Sequence, residues 1–436
     1  MSSVNAEVGP PGTQRSAAPG LPRTVGLAEA VGFGLGAMIG TGVFVYTGVA
    51  AGLAGPAMLA SLGLAGAAAA CNGLSSAELA IRFPRSGGTY EYAGRMLSPW
   101  AGFLAGWLFL AAKASSAAAT ALGAGAYLGA VTGVPPLAIA LGLTALVQAL
   151  DLHRLRGAGI ANLVLVSISI GTLATFVVTG WSGIRPGTFA PFAPQGLHGV
   201  LSGASLLFVA YAGYGRVATL GEEIQAPERN IPRAIVLSLL GAGLLYALVS
   251  YVAIGRVGAE TLAQAAKGGA PLERAASSPA VGGILALGAG TAMGAVFLNL
   301  MLGLSRMAFA MGRGHDLPHG LARVNRFSSP NVAVLFVGTV VGILVAVGTV
   351  VGLVSLSAFT VLVYYGLTNL SALRLARDQR LVHPGVPAAG LVFCITLAAS
   401  IPIRHLAIGA SVLGAGVLWR LLFRMFCPPR VSGKAA

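Results

Sequence analysis

The stretch 31–48, VGFGLGAMIGTGVFVYTG, is apolar enough to lie in lipid yet carries six glycines and Thr41. Glycine inside a helix loosens the backbone and favours unwinding. Lipid offers no partner to a freed N–H or C=O, so unwound backbone at membrane depth is tolerated only when it is buried in protein or lines a cavity. Few folds can accommodate such a segment. The simplest is a helix broken at mid-depth, at a place where something polar binds.

The composition agrees with a bilayer. Of the 436 residues, 56% are hydrophobic and 9% charged, against about a quarter charged in soluble domains. That argues against a water-soluble enzyme. Strand alternation is nowhere sustained, and the high Ala and Gly content suits helices packed closely through small side chains. The expected class is an all-α polytopic membrane protein. A formal charge of +15 raises the question of a nucleic-acid partner. The basic residues, however, form short clusters on alternate loops, as the positive-inside rule produces, and no nucleic-acid partner is expected. Cys71, Cys394 and Cys427 show no metal-ligand spacing and no disulfide framework, so neither a metal nor a cofactor is expected.

Taken in order, residues 1–24 read as a disordered cytoplasmic tail. Spans follow at about 27–49, from the turn Leu53-Ala54-Gly55-Pro56 to Ala80, at 98–128, and from Pro135-Pro136 to Asp151. Further spans lie at 158–180, 199–220, 232–254 and 280–306. The uncharged run 332–373 is long enough for two, joined by a turn near Gly352. Spans at 386–402 and 404–423 and a basic tail, 425–436, complete twelve membrane crossings. With both termini inside, only five of the 27 basic residues fall outside: Arg185, Arg256, Lys267, Arg274 and Arg404. That asymmetry sets the orientation in a cell membrane, and the Arg-, Ala- and Gly-rich composition suggests a bacterial source.

A second disturbed segment, FVAYAGYG at 208–215, sits in the middle of the sixth span. Broken helices 1 and 6 are five spans apart, and an odd number of crossings inserts the second unit upside down. That is the inverted-repeat plan of many secondary transporters, with units at 25–180 and 199–380. Half-helix N-termini then meet an anion and freed carbonyls a cation. A zwitterion bearing a carboxylate and an ammonium on one carbon satisfies both. The alternative is that these glycines only let helices pack closely; two such segments in corresponding positions favour a site.

Gly36-Ala37-Met38-Ile39-Gly40-Thr41-Gly42-Val43-Phe44 resembles the first-helix signature of the amino acid–polyamine–organocation superfamily of permeases. FVAYAGYGRVATLGEEIQAPERNIPRAI, from Phe208 to Ile235, resembles that family's sixth-helix and following-loop signature. FPRSGGTYEY after span 2, Ser305-Arg306 with RGHDLP, and YYGLTNLSALRL at the end of span 10 are similar to it as well. The resemblance implies a five-plus-five inverted-repeat fold with spans 11 and 12 outside the repeat, and amino acid transport by proton-coupled symport or exchange. It places the substrate against Met38, Ile39, Gly40, Thr41 and Gly42 on the first break, and against Phe208, Val209, Ala212, Gly213 and Tyr214 on the sixth. The sixth-helix pattern often has an acidic residue where this chain has Gly215, followed here by Arg216. A small or apolar substrate side chain therefore fits better than a cationic one. A cationic amino acid or polyamine permease, a channel and a non-transporting sensor are the alternatives.

Lys113 lies near the middle of span 3, where ionisable groups are costly and usually functional. Several family members carry a lysine in span 5 at the position that here is Ser169. Lys113 is therefore expected either to replace it as the coupling cation or to cap carbonyls at the outer end of a helix break. Glu222 and Glu223, below the sixth helix, are read as an inner gate pairing with arginines such as Arg82, Arg85 or Arg306; the alternative is a solvated loop. The spans contain no metal cluster and no phosphate-binding Gly-rich loop with Lys, so an enzyme or a primary pump is not expected.

Overall fold

The computed structural model describes residues 23–83, 87–153, 158–219, 223–325 and 329–426. The tail expected at 1–24 and the basic tail past 426 lie almost wholly outside them, as do Arg85 and Glu222. Among the described residues the backbone is helical, and the one strand-like contact is an isolated parallel bridge between Val25 and Ile224.

The first half of the chain contributes α1 (Leu27–Met38), α2 (Thr47–Ala54), α3 (Met58–Arg82), α4 (Thr89–Met96) and α5 (Pro99–Thr132). It continues with α6 (Pro136–Leu152) and α7 (Ala158–Gly180). The second half contributes α8 (Gly196–Tyr211), α9 (Gly215–Thr219), α10 (Pro227–Val257), α11 (Ala259–Lys267), α12 (Pro271–Arg274) and α13 (Pro279–Arg313). It ends with α14 (Asn331–Val347), α15 (Val350–Leu373), α16 (Gly385–Ala399) and α17 (Ile403–Phe426). Eight helices are long and apolar enough to cross a membrane, and four shorter apolar ones (α1, α6, α14 and α16) accompany them. At about 1.5 Å per residue, the 17 residues of α6 and of α14 reach about 25 Å, slightly less than the apolar thickness of a bilayer.

Boundaries shift for local reasons. The turn expected near Gly352 lies at Gly348–Thr349 instead, because the Thr349 side chain accepts from the Gly352 N–H at 3.2 Å and starts α15 earlier. Ser98 caps α5 in the same way, accepting from Ala101, and Ser278 caps α13 through Val281. The loops expected after span 2 and at 255–279 contain helices of their own, α4 and the pair α11–α12.

Helix α5 runs through the middle of the bundle and packs against α4, α6, α13, α14, α15 and α17. Small side chains (Ala105, Gly106, Ala112, Ser115, Ala117 and Ala119) keep its neighbours close. Helix α17 is peripheral: 17% of its apolar window is buried, against 78% for Gly42–Arg82, so it faces lipid. Exposed Val178, Val347, Val392 and Ile403 belong to the same apolar rim.

One buried carboxylate is structural. Glu78, 2% exposed near the end of α3, accepts from the backbone N–H groups of Leu381 and of Val382, the latter at 3.2 Å, and so anchors the segment between α15 and α16. Glu78→Ala leaves two N–H groups without their acceptor, at about 1–3 kcal/mol for a buried donor. A drop of several degrees in the unfolding midpoint of the purified protein is the expected reading.

Candidate functional site

The two disturbed segments meet. Helix α1 ends at Met38; Ile39 is extended (φ −73°, ψ 101°), and the chain resumes after Gly40 through a five-residue π-helical turn, Gly42–Tyr46, that runs into α2. Insertions of this kind recur at functional sites because they free backbone groups from the helical ladder. The other segment is milder than the sequence suggests. Helix α8 ends at Tyr211 and passes through a single 3-10 turn, Ala212–Tyr214, into α9, with Tyr211, Ala212 and Gly215 in the helical region. The first helix is broken; the sixth is tightened.

The two segments press together backbone to backbone. A Cβ on Gly213 would stand 2.5 Å from the Ala37 carbonyl oxygen, and one on Gly42 would stand 2.6 Å from the Cβ of Ala210. Carbonyls released from the ladder find side-chain donors on other helices. The Tyr246 hydroxyl of α10 donates to the Met38 carbonyl at 2.6 Å, and the Ala210 carbonyl lies 3.2 Å from the same oxygen. Tyr127 of α5 donates to the Phe44 carbonyl at 2.8 Å and accepts from the Leu272 N–H at 3.1 Å, tying the π turn to the short helix α12. Beside Leu272, burial pushes the Glu273 carboxyl above the usual carboxylate range. Thr47 donates to the Val43 carbonyl at 2.8 Å. This is the accounting a membrane interior imposes on broken backbone.

A cavity of about 50 Å³ lies between the breaks and the middle of α5. Of the residues expected there, it is lined by Met38, Thr41 and Gly42, by Val209 and Gly213, and by Lys113. Ala37, Tyr46, Ser116, Thr120, Ala210, Val296 and Leu300 complete the wall. Its size suits one or two waters, so admitting an amino acid requires the walls to part. Thr41 and Thr120 share a hydrogen bond at 2.6 Å, and Ser116 links Tyr46 (3.3 Å) to Ser357 (3.2 Å), giving a band of hydroxyls across the floor. Among the described residues Lys113 is the one cationic side chain of the wall, which holds no carboxylate. Its ammonium stands 5.9 Å from the Phe109 ring centroid and, among the described residues, has no hydrogen-bond acceptor or ion-pair partner.

The other expected residues lie elsewhere. Ile39 and Gly40 form the bend itself rather than the wall; the Gly40 carbonyl accepts from Val43 and Phe44 at 3.2 Å. Phe208, Ala212 and Tyr214 are buried on the far side, where Phe208 and Tyr214 meet the Tyr365 ring at 5.7 and 5.4 Å. Ser169, buried in α7, donates to the Leu165 carbonyl at 2.7 Å and is not part of the cavity wall.

At the end of the bundle where the first helix starts, the backbone of Glu223 rather than its carboxylate makes the contact. Its carbonyl accepts from Val25 at 3.0 Å, and Gln225 donates back to Val25 at 3.0 Å, clipping the start of the first helix to the loop below the sixth. Among the described residues the ion pairs are Arg95–Glu91 and Arg420–Asp316; the Glu223 carboxylate forms none, though its charge acts on Arg216.

Ser116 and Thr120 were legible in outline. They stand three and seven residues after Lys113, the spacing of one helical face. Tyr246 and Tyr127 were not, since a tyrosine in an apolar run gives no hint of where its hydroxyl ends.

The family model described as amino acid permease matches residues 25–426. An uncharacterised transporter of Mycobacterium tuberculosis is 39% identical over 403 residues, 91% of this chain and 90% of that protein. A methylthioribose transporter of Bacillus subtilis is 32% identical, covering 72% of this chain and 74% of its own. A branched-chain amino acid permease of the same organism is 28% identical, covering 79% and 80%. The crystal structure of the Eremococcus coleocola manganese transporter, bound to an aromatic bis-isothiourea compound, superposes with a TM-score of 0.61 at 12% identity over 92% of this chain and 94% of that one. That likeness is one of fold.

Proposed function

The chain belongs to the amino acid permease family of membrane transporters, and from that premise we propose that it carries neutral amino acids with small or apolar side chains by alternating access. The observation that supports the reading is the cavity between the break in the first helix and the 3-10 turn of the sixth, with one cation and no carboxylate in its wall. A zwitterion suits such a place, its charged groups meeting the loosened backbone and its side chain meeting Val209, Val296 and Leu300. A cationic amino acid or polyamine does not. At about 4 Å and an effective dielectric near 20, like charges repel by about 4 kcal/mol, close to a thousandfold in affinity. The two five-span units, 25–180 and 199–380, would rock about this site with both termini in the cytoplasm of a bacterium.

Lys113 is assigned the coupling role, exchanging a proton as the cavity opens to either side. In proteoliposomes, labelled alanine, valine or leucine uptake is expected to exceed arginine and putrescine uptake and to rise with an inward proton gradient. Arginine far preferred over leucine would overturn the substrate reading. The Lys113→Met protein should take up the neutral amino acid equally with and without the gradient, and arginine inhibition should strengthen at least tenfold. An unchanged response to the gradient would remove the coupling role.

A further inference from the structure

A second cavity, about 290 Å³, lies at the end of the bundle where α4, the start of α5, the end of α13 and the end of α17 converge. By the distribution of basic residues this is the cytoplasmic end. Three guanidinium groups, from Arg95, Arg420 and Arg424, share its wall with two carboxylates, from Glu91 and Asp316. Both carboxylates are engaged: Glu91 accepts from Arg95 at 3.0 Å, and Asp316 accepts from Arg420 at 2.6 Å and from the Tyr90 hydroxyl at 2.9 Å. Arg420, 3% exposed, also donates to the Pro99 carbonyl at 2.9 Å and lies over the Phe103 ring at 4.6 Å. Its Nε is buried without an acceptor among the described residues. Arg424, one turn further along α17, is exposed and has no carboxylate partner among the described residues. The wall thus carries one positive charge in excess and a buried donor with nothing to bond.

The flank of the same helix is apolar and open. Leu418, Leu421, Leu422 and Met425 recur at helical spacing and are 45–74% exposed, so lipid chains can lie along α17 beside the arginines. A cavity rimmed by guanidinium groups, at the cytoplasmic edge of a lipid-facing helix, fits a phosphate group that arrives on an acyl chain. We propose that this cavity seats the phosphate headgroup of an anionic phospholipid, with Arg424 and Arg95 as its ligands and its chains along α17. The lipid would brace α17 against α4 and α5 at the end where the bundle opens to the cytoplasm.

The test uses the full chain purified in detergent, with the thermal unfolding midpoint read against added phosphatidylglycerol, phosphatidylcholine or inorganic phosphate. Phosphatidylglycerol should raise the midpoint of the wild-type protein and the other two should not. Arg95→Ala with Arg424→Ala should weaken the apparent phosphatidylglycerol affinity about thirtyfold, from two basic residues near an anionic surface. Arg374→Ala with Arg377→Ala, two exposed arginines outside the cavity, should leave it unchanged. Arg424→Gln alone covers the case in which the double variant does not fold, and should lose about fivefold. Equal stabilisation by phosphatidylcholine, an equal loss in the Arg374/Arg377 pair, or full retention in the cavity variants would overturn the proposal. A shift produced by inorganic phosphate alone would overturn the lipid assignment and leave a free anion as the ligand. None of these outcomes depends on the transported substrate.

Discussion

Gly213→Ala is expected to reduce amino acid uptake to background while the protein still inserts in the membrane. The added Cβ would stand 2.5 Å from the Ala37 carbonyl oxygen, 2.6 Å from its carbon and 2.8 Å from the Met38 Cγ. Two of those atoms are backbone, so no rotamer change relieves the clash and the two segments must separate. Overpacking of this kind costs about 1–3 kcal/mol, and here the strain falls on the wall of the proposed binding cavity. A tenfold to hundredfold loss of uptake follows if the closed geometry of that wall is part of the cycle. Gly142→Ala in α6 is the control, because a Cβ there meets nothing within 4 Å. Uptake by the Gly213→Ala protein within twofold of wild type would mean that the approach of the two segments has no functional role.

Tyr246→Phe should come next in size. Removing one hydroxyl withdraws the donor held 2.6 Å from the Met38 carbonyl, with the Ala210 carbonyl 3.2 Å away. In an interior that water does not reach, an orphaned carbonyl costs about 1–3 kcal/mol, a five- to 150-fold effect on any state that needs it satisfied. Because the same oxygen lies between both disturbed segments, the loss should appear in uptake more than in expression level. A Tyr246→Phe protein with full uptake would show that the Met38 carbonyl has another donor during the cycle.

Much of this arrangement is written in local chemistry. The density of glycine between Gly32 and Gly42 marks the first break, and the structure puts an extended residue within it at Ile39. The part glycine plays there differs from simple loosening: Gly42 and Gly213 are needed because another backbone lies against them. The sixth segment divides, with Val209 and Gly213 in the cavity wall and its aromatic residues turned away from it. Phe208 and Tyr214 look like cavity residues in a line of sequence, but on a helix interrupted by only one 3-10 turn they point to Tyr365 instead. Ser169 was singled out by position in a family pattern, and nothing in its own surroundings brings it to the cavity. The donors that complete the break, Tyr246 and Tyr127, come from distant helices, and single-sequence periodicity does not report which distant helices meet. Charge was the most legible feature of all. Lys113 stood out in the middle of a span, and it is the cation of the cavity wall.

The binding of a zwitterion between the two disturbed segments is tested most directly by asking which half of the molecule is needed. Inhibition of labelled leucine uptake in proteoliposomes would be compared for leucine, for its decarboxylated amine and for its deaminated acid. Leucine should compete at least a hundredfold better than either analogue, since each leaves one set of backbone groups without its charge. An analogue lacking the amine or the carboxylate that competes as well as leucine would contradict the placement of a zwitterion at the breaks.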